Sequence, residues 1–333
     1  MPDASLWLPL IPVLLLVLAA EFVNGWTDSP NAIATVVSTR VLSPSKAVFM
    51  AAVLNMVGAL VTGTAVATTI GTGIVKPEVI SLPVVAAATL TVVVWSTIAW
   101  FYGIPTSESH ELIAGLTGAG LATSGPSVLL WEGWQKVLIG LGISTLLGFS
   151  LGMVVMTSLY WLFRRARVSS IRNIFGRLQI LSAAFMAFSH GSNDGQKFMG
   201  VFTLALMLGG VTTQFAVPVW VMLLCGTVMA LGTAAGGWRI IRTMGFKLTK
   251  LEPINGFAAE TSSGFAILLA SFFGIPLSTT HCIGTSIMGV GAIRRFSAVR
   301  WGVAGNIVAA WILTFPICGV LGYLFAWLMK IIF

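Results

Sequence analysis

The segment His190-Gly-Ser-Asn-Asp-Gly-Gln-Lys197 places an imidazole, an amide, a carboxylate and an ammonium between the apolar runs 180–188 and 198–208. An ionised Asp at a bilayer centre costs about 2.5–3.5 kcal/mol on the insertion scale, so it persists where it is paired, wetted or used. An isolated Asn or Ser reads more simply as a polar knot between helices. Here a relative of the cluster occurs earlier, Asn24-Gly-Trp-Thr-Asp-Ser-Pro-Asn31, and that recurrence favours use. Asp28 and Asp194, with Asn24, Asn31 and Asn193, offer hard oxygens that suit Na+, or a proton if the carboxylate itself titrates. Lys197, the counterpart of Asn31, supplies compensating charge or pairs with an acidic neighbour.

A second pair of segments recurs in the same order, Gly103-Ile-Pro-Thr-Ser-Glu-Ser-His110 and Gly274-Ile-Pro-Leu-Ser-Thr-Thr-His281. Proline suits the first turn of a helix, where its missing N–H costs nothing. The residues that follow then sit at free backbone N–H groups and the positive end of the helix dipole, which together attract anions. The hydroxyls of Ser107, Ser109, Ser278, Thr279 and Thr280 add donors without charge. Two such ends could hold a tetrahedral oxyanion from opposite sides. A single segment would read as ordinary N-capping; duplication with a trailing His argues otherwise. A carboxylate beside a bound anion repels it unless a cation or proton intervenes, so the juxtaposition points to cation–anion symport.

Other acids in apolar sequence are Glu21, Glu108, Glu111 and Glu260. Glu260, in Asn255-Gly-Phe-Ala-Ala-Glu-Thr-Ser-Ser263, reads as a polar contact near the site or as a structural bridge. Glu21 is a candidate proton or Na+ group. His110 and His281 orient hydroxyls or the anion, or fill a structural role.

The elements that position these residues are membrane helices. Charged residues are 8% of the 333, against about 25% in soluble domains, and 57% are hydrophobic. Mean hydropathy is +0.96. Apolar runs recur along nearly the whole chain without the alternation of a β-barrel. The net charge of +8 sits in short clusters between those runs, which reads as topology and not as a nucleic-acid surface. Cys225, Cys282 and Cys318 lie in apolar sequence and read as packing. The N-terminus has only Asp3 before Leu6, so residues 6–23 read as a retained first span and not a cleaved signal.

Spans are expected at 6–38, interrupted by the first Asp motif, then 47–70, 79–101 and a Gly-rich helix ending near Gly125. A polar break at Lys76-Pro-Glu78 separates the second and third. They continue at 134–163, 178–208 (interrupted by the second Asp motif), 215–238, 257–273, 276–293 and 303–332. The basic groups Arg164/Arg165/Arg167/Arg172/Arg177, Arg239/Arg242/Lys247/Lys250 and Arg294/Arg295/Arg300 are assigned to the cytoplasm. Counting back places Arg40 and Lys46 inside as well, with both termini outside. The segments beginning at Pro105 and Pro276 are either re-entrant hairpins or full crossings.

Two motifs repeated in order, with an odd number of elements in each half, imply inversion of the second half. The expected fold is an all-α polytopic membrane protein with about ten membrane elements. These form two inverted five-element repeats, with broken or re-entrant helices at the midplane. Residues 1–163 form the first repeat, 164–177 a basic cytoplasmic linker, and 178–333 the second repeat. This pattern is the signature of a secondary transporter with its site at the midplane. No Walker loop, nucleophile elbow or zinc spacing is present, which speaks against an ATP-driven pump or an enzyme.

At these four motifs the chain resembles the inorganic phosphate transporter (PiT) family, which carries phosphate with Na+ or H+. His190–Lys197 is similar to that family's Gly-x-Asn-Asp signature, residues 24–31 to its first copy, and both Pro-x-Ser-x-x-His segments match. The resemblance runs from position 24 to 281. It implies a phosphate site built from Asp28, Ser107, Ser109, Asp194, Ser278, Thr279 and Thr280. Cation ligands are implied among Asn24, Asn31, Asn193 and the two Asp, with Na+ at Asn31, Asn193 and Asp194. Glu21, His110, His190, Lys197, Glu260 and His281 support it. Thr27 departs from the Asn or His usual there, so a cation site on that side is altered or lost. The family's long central loop is nearly absent.

The resemblance implies an importer in the plasma membrane with inorganic phosphate and a coupling cation as partners, and no cofactor besides Na+ or H+. Homodimerisation suits a two-lobed carrier. The rival readings are a sulfate permease of the same fold, a cation exchanger, and a membrane scaffold or lipid enzyme.

Overall fold

A computed structural model describes residues 4–75 and 80–332. Among them lie twelve α-helices. The first half holds α1 (Ala4–Ser38), α2 (Pro44–Val61), α3 (Ala65–Thr72), α4 (Leu82–Tyr102), α5 (Glu108–Ser124) and α6 (Trp131–Phe163). The second holds α7 (Val168–Leu208), α8 (Val219–Ala235), α9 (Trp238–Arg242), α10 (Pro253–Phe272), α11 (Thr279–Arg294) and α12 (Trp301–Ile332). A π turn, Thr243–Lys247, extends α9. Helices α1, α2, α4, α6 and α12 are long and apolar enough to cross a membrane, and α8 with the segment Trp238–Lys247, bent by 57°, passes the same measure only when the two are taken together. Large apolar side chains such as Leu15, Phe49, Leu146, Trp161 and Leu313 point outward, as a lipid-facing surface requires.

Four expectations need correction. Helices α1 and α7 run unbroken through both Asp motifs. The polar residues there fall on one face, so they can meet other helices without the backbone opening. Pro30 does remove one backbone donor inside α1. The hydroxyl of Ser29 supplies a replacement, donating to the Trp26 carbonyl at 3.2 Å, and itself accepts from Gly237 N at 2.7 Å. The breaks lie instead at 103–107 and 273–278, where Gly103 and Gly274 turn the chain with φ of 68° and 64°. The span expected at 47–70 is divided, with Gly63 at φ 86° between α2 and α3. The connection between halves is short: α7 begins at Val168, so Arg172 and Arg177 are helical. The break at Lys76-Pro-Glu78 lies outside the described residues.

The helices define two ends. At one, Thr39, Arg172 and Lys250 line a cavity of about 410 Å³, and Arg294 pairs with Glu252 at 3.3 Å. Arg300 donates to the Lys247 carbonyl at 3.4 Å. The three basic groups thus gather at one basic end. At the opposite end the start of α1 meets the end of α7 (Leu10 against Gly209), and Lys330 donates to the Ala122 carbonyl.

Packing is paired between halves. Helix α1 lies on α8 and α7 on α2; α5 lies on α12 and α11 on α6. The motif glycines make the first two contacts possible. A Cβ on Gly25 would stand 2.2 Å from the Met229 carbonyl oxygen, and one on Gly191 would stand 2.0 Å from that of Asn55. Small residues let backbones approach where lipid gives helices no hydrophobic reason to associate.

Candidate functional site

On α1, Glu21, Asn24, Asp28, Asn31 and Thr35 recur at spacings of three and four, so they share one face. Helix α7 presents His190, Asn193, Asp194 and Lys197 in the same manner. All nine are buried. The remaining contributors come from the tips where α4 turns into α5 and α10 into α11. These tips meet: the Ser109 hydroxyl reaches the Leu277 carbonyl at 3.5 Å, and the His110 and His281 rings stand 4.6 Å apart.

At the centre one ligand atom each from Asp28, His190 and Asp194 lie within 4.8 Å of one another. The hydroxyls of the second tip are divided between the two acids, Thr280 donating to Asp28 at 3.0 Å and Thr279 to Asp194 at 3.1 Å. Asn31 bridges them, its amide nitrogen donating to Thr279 at 3.2 Å and to Thr280 at 3.0 Å. Asp194 also holds Lys197 at 2.6 Å, with His190 Nε2 at 3.6 Å. Of the two roles open to Lys197, the structure supports pairing with an acidic neighbour. Removing one partner of a fully buried ion pair costs about 3–5 kcal/mol, because the other charge is left unpaired.

The three motif asparagines share a feature. Asn24 donates to Glu21 at 3.3 Å, Asn31 to the two threonines, and Asn193 to Ser271 at 3.0 Å and the Ile275 carbonyl at 3.2 Å. Each thereby spends its amide nitrogen on the protein and leaves a buried Oδ1 without a protein donor. A carbonyl oxygen in that state is chemically suited to a hard cation.

The other candidates are placed as follows. Ser278 caps α11, accepting from His281 N at 3.2 Å. Ser107 occupies the matching position on α5 but makes no capping bond. His281 stacks on Trp311 at 3.8 Å and His110 lies 4.7 Å from Phe315. Neither His281 nitrogen, nor His110 Nδ1, has a protein partner. His190 is anchored by Nδ1 against Asn55 Oδ1 at 3.2 Å. Glu21 touches the site through Asn24. Glu260 is bound by Thr35, Gln179 and Ser182, and so bridges α1, α7 and α10 one turn below Asn31.

Glu108 was not singled out above as a site residue. It accepts the hydroxyl of Thr27, the residue before Asp28. The signal for it was the mismatch between the repeated segments, Glu108 standing where the second copy has Thr279.

Comparison with known proteins bears on this arrangement. Residues 24–322 match the profile of the phosphate transporter family. A Rhizobium meliloti protein described as "Probable low-affinity inorganic phosphate transporter" is 46% identical over 316 residues, covering 94% of this chain and 95% of its own. A Bacillus subtilis protein of the same description is 40% identical over 326 residues, covering 97% and 98%. The solved structure of a sodium-dependent phosphate transporter superposes with a TM-score of 0.90 at 26% identity, over 98% of this chain and all of that one.

Proposed function

The chain belongs to the phosphate transporter family, and we propose that it is a secondary-active carrier importing inorganic phosphate with Na+ or H+ by alternating access. The observation that carries this reading is the central constellation. Two buried carboxylates from different halves share the hydroxyls of one hairpin tip, and the free Oδ1 atoms of Asn24, Asn31 and Asn193 stand on the same two helices. Hydroxyls that now donate to Asp28 and Asp194 are the donors an oxyanion would take. Asp28, Asp194, Ser107, Ser109, Ser278, Thr279 and Thr280 are assigned to phosphate.

Phosphate at neutral pH carries a proton that it can donate to a carboxylate, whereas sulfate has none. A site with two acids therefore leans toward phosphate over a sulfate permease. The printed description of the similar solved structure, a sodium-dependent carrier, favours Na+ as the coupling ion.

Two inverted repeats are supported by the exchange of packing partners between halves, and α1, α2, α4, α5 and α6 with their second-half counterparts give the ten main elements. Burial of the whole constellation fits an occluded state between two access states. With the basic end assigned to the cytoplasm, both termini lie outside the plasma membrane.

The experiment is uptake of labelled phosphate into liposomes, with Na+ and H+ gradients imposed separately and excess unlabelled sulfate as competitor. Phosphate uptake that needs one gradient and ignores sulfate supports the reading and names the ion. Accumulation of labelled sulfate instead would move the substrate. Sealed, loaded vesicles that take up neither anion would sink the proposal. Asp194→Asn, which keeps an acceptor for Lys197 but removes the charge, is expected to abolish uptake.

A further inference from the structure

The two halves bring unequal charge to the centre. On the α7 side Asp194 has its own cation, Lys197 at 2.6 Å, and accepts from Thr279. On the α1 side the position of Lys197 is taken by Asn31, that of Thr279 by Glu108, and that of Asn193 by Thr27. A permanent ammonium is thus missing from this side while a second carboxyl is added.

Glu108 and Asp28 are both buried, and Thr27, the residue before Asp28, ties Glu108 to this face of α1 through its hydroxyl. The groups facing them are Thr27, whose hydroxyl donates to Glu108 Oε1, and Thr280, whose hydroxyl donates to Asp28 Oδ1. Glu108 Oε2 has no protein donor. A second observation comes from a residue outside the acid pair. Asn31 donates to the same Thr280 hydroxyl that serves Asp28, and its buried Oδ1 is unpartnered. Two carboxylates held on one buried face in a low-dielectric interior repel unless something positive lies between them. The ammonium of Lys197 stands against Asp194, donating to its Oδ1 at 2.6 Å, and makes no hydrogen bond to Asp28 or Glu108.

Within the transport reading, on which this inference rests, we propose that Glu108 is a ligand of the coupling cation. A Na+ ion binds between Asp28 and Glu108, with Asn31 Oδ1 as a further oxygen ligand. Phosphate lies toward Asp194 and Lys197. Lys197 supplies permanently to the second half what the bound Na+ supplies reversibly to the first. Only the reversible charge can couple transport to a gradient. Thr27 then orients the new ligand, and the departure at that position rebuilds the cation site instead of removing it.

The test measures thermal stabilisation of the purified full chain by NaCl against choline chloride at constant ionic strength, without phosphate. Wild type is expected to be stabilised by Na+ and not by choline. Glu108→Gln should shift the Na+ midpoint upward by tenfold or more, while Glu132→Gln, an exposed carboxyl at the opposite end, should leave it unchanged. Should Glu108→Gln fold poorly, Glu108→Asp serves, with an expected change in the ratio of Li+ to Na+ midpoints. A wild-type midpoint in Glu108→Gln, or an unchanged ratio in Glu108→Asp, would overturn the site. Wild type that ignores Na+ but accumulates phosphate on a proton gradient would overturn it too, leaving the transport reading intact. Failure of uptake on either gradient, with Na+ stabilisation lost in Glu108→Gln, would do the reverse.

Discussion

On the basic side of the central carboxylates an acid-centred hydrogen-bond cluster ties three helices together; on the opposite side, beyond the Glu21–Asn24 pair, the closure is mainly apolar packing. On the basic side Glu260 accepts from Thr35 at 2.5 Å, from Gln179 at 3.2 Å and from Ser182, and Thr39 donates on to Gln179 at 2.8 Å. The proposed repeat would match these positions to Thr89, Val13, Leu16, Val201 and Ala205, and the last four belong to one apolar cluster with Phe198 and Phe202. Thr89 spends its hydroxyl on its own helix, donating to the Val85 carbonyl at 2.9 Å. The two closures fail differently. Hydrogen bonds can be handed to water one at a time, at about 0.5–1.5 kcal/mol net each. Packed apolar side chains lose their contacts together when a helix moves, and have nothing to exchange with water.

The largest expected effect tests this difference by transplantation. Thr89→Glu places the polar closure's carboxyl among Val13, Val201 and Phe202, with none of its three donors. An unpaired buried acid there should cost about 3–5 kcal/mol, read as a large fall in the melting temperature of the purified protein or as loss of folded yield. A variant as stable as wild type would mean that the opposite end is wetter than its packing indicates.

Glu260→Ala comes next. It strands the donors of Thr35, Gln179 and Ser182 in a buried site, with an expected loss of about 1–3 kcal/mol. Glu260→Gln, which keeps an acceptor, should lose less, and the order of the two melting temperatures is the check. The smallest effect belongs to Thr89→Val, which loses a hydrogen bond within its own helix and no interhelical partner, at about 0.5–1.5 kcal/mol. Equal losses in Glu260→Ala and Thr89→Val would erase the distinction between the closures.

Much of this molecule was legible in the chain. The ends of α4 and α10 were marked by Gly103 and Gly274 with proline two residues on, and α11 starts within the Ser/Thr run that announced it. The pairing of Lys197 with Asp194 was one of two readings because the residues lie three apart, a spacing that a helix brings together. The Asp motifs read as helix breaks in sequence for a related reason. Polar residues, Gly25 and Pro30 in an apolar run signal either an opened backbone or a polar face turned inward. The choice depends on what the neighbouring helices offer.

Composition, the spacing of apolar runs and two duplicated motifs determined the class of protein and most of its helical elements, and nominated most of the polar residues at its centre, because each rests on local periodicity. Tertiary structure decided the partners. Glu260 finds Thr35 and Gln179, 225 and 81 residues away in sequence, and Glu108 finds Thr27 at a separation of 81. Asp28 and Asp194 meet because α1 and α7 pack together in the fold. Spacing along a helix fixes which side chains share a face. Which face meets which is set by long-range packing, here by backbones that touch at Gly25 and Gly191, and no stretch of sequence taken alone contains that information.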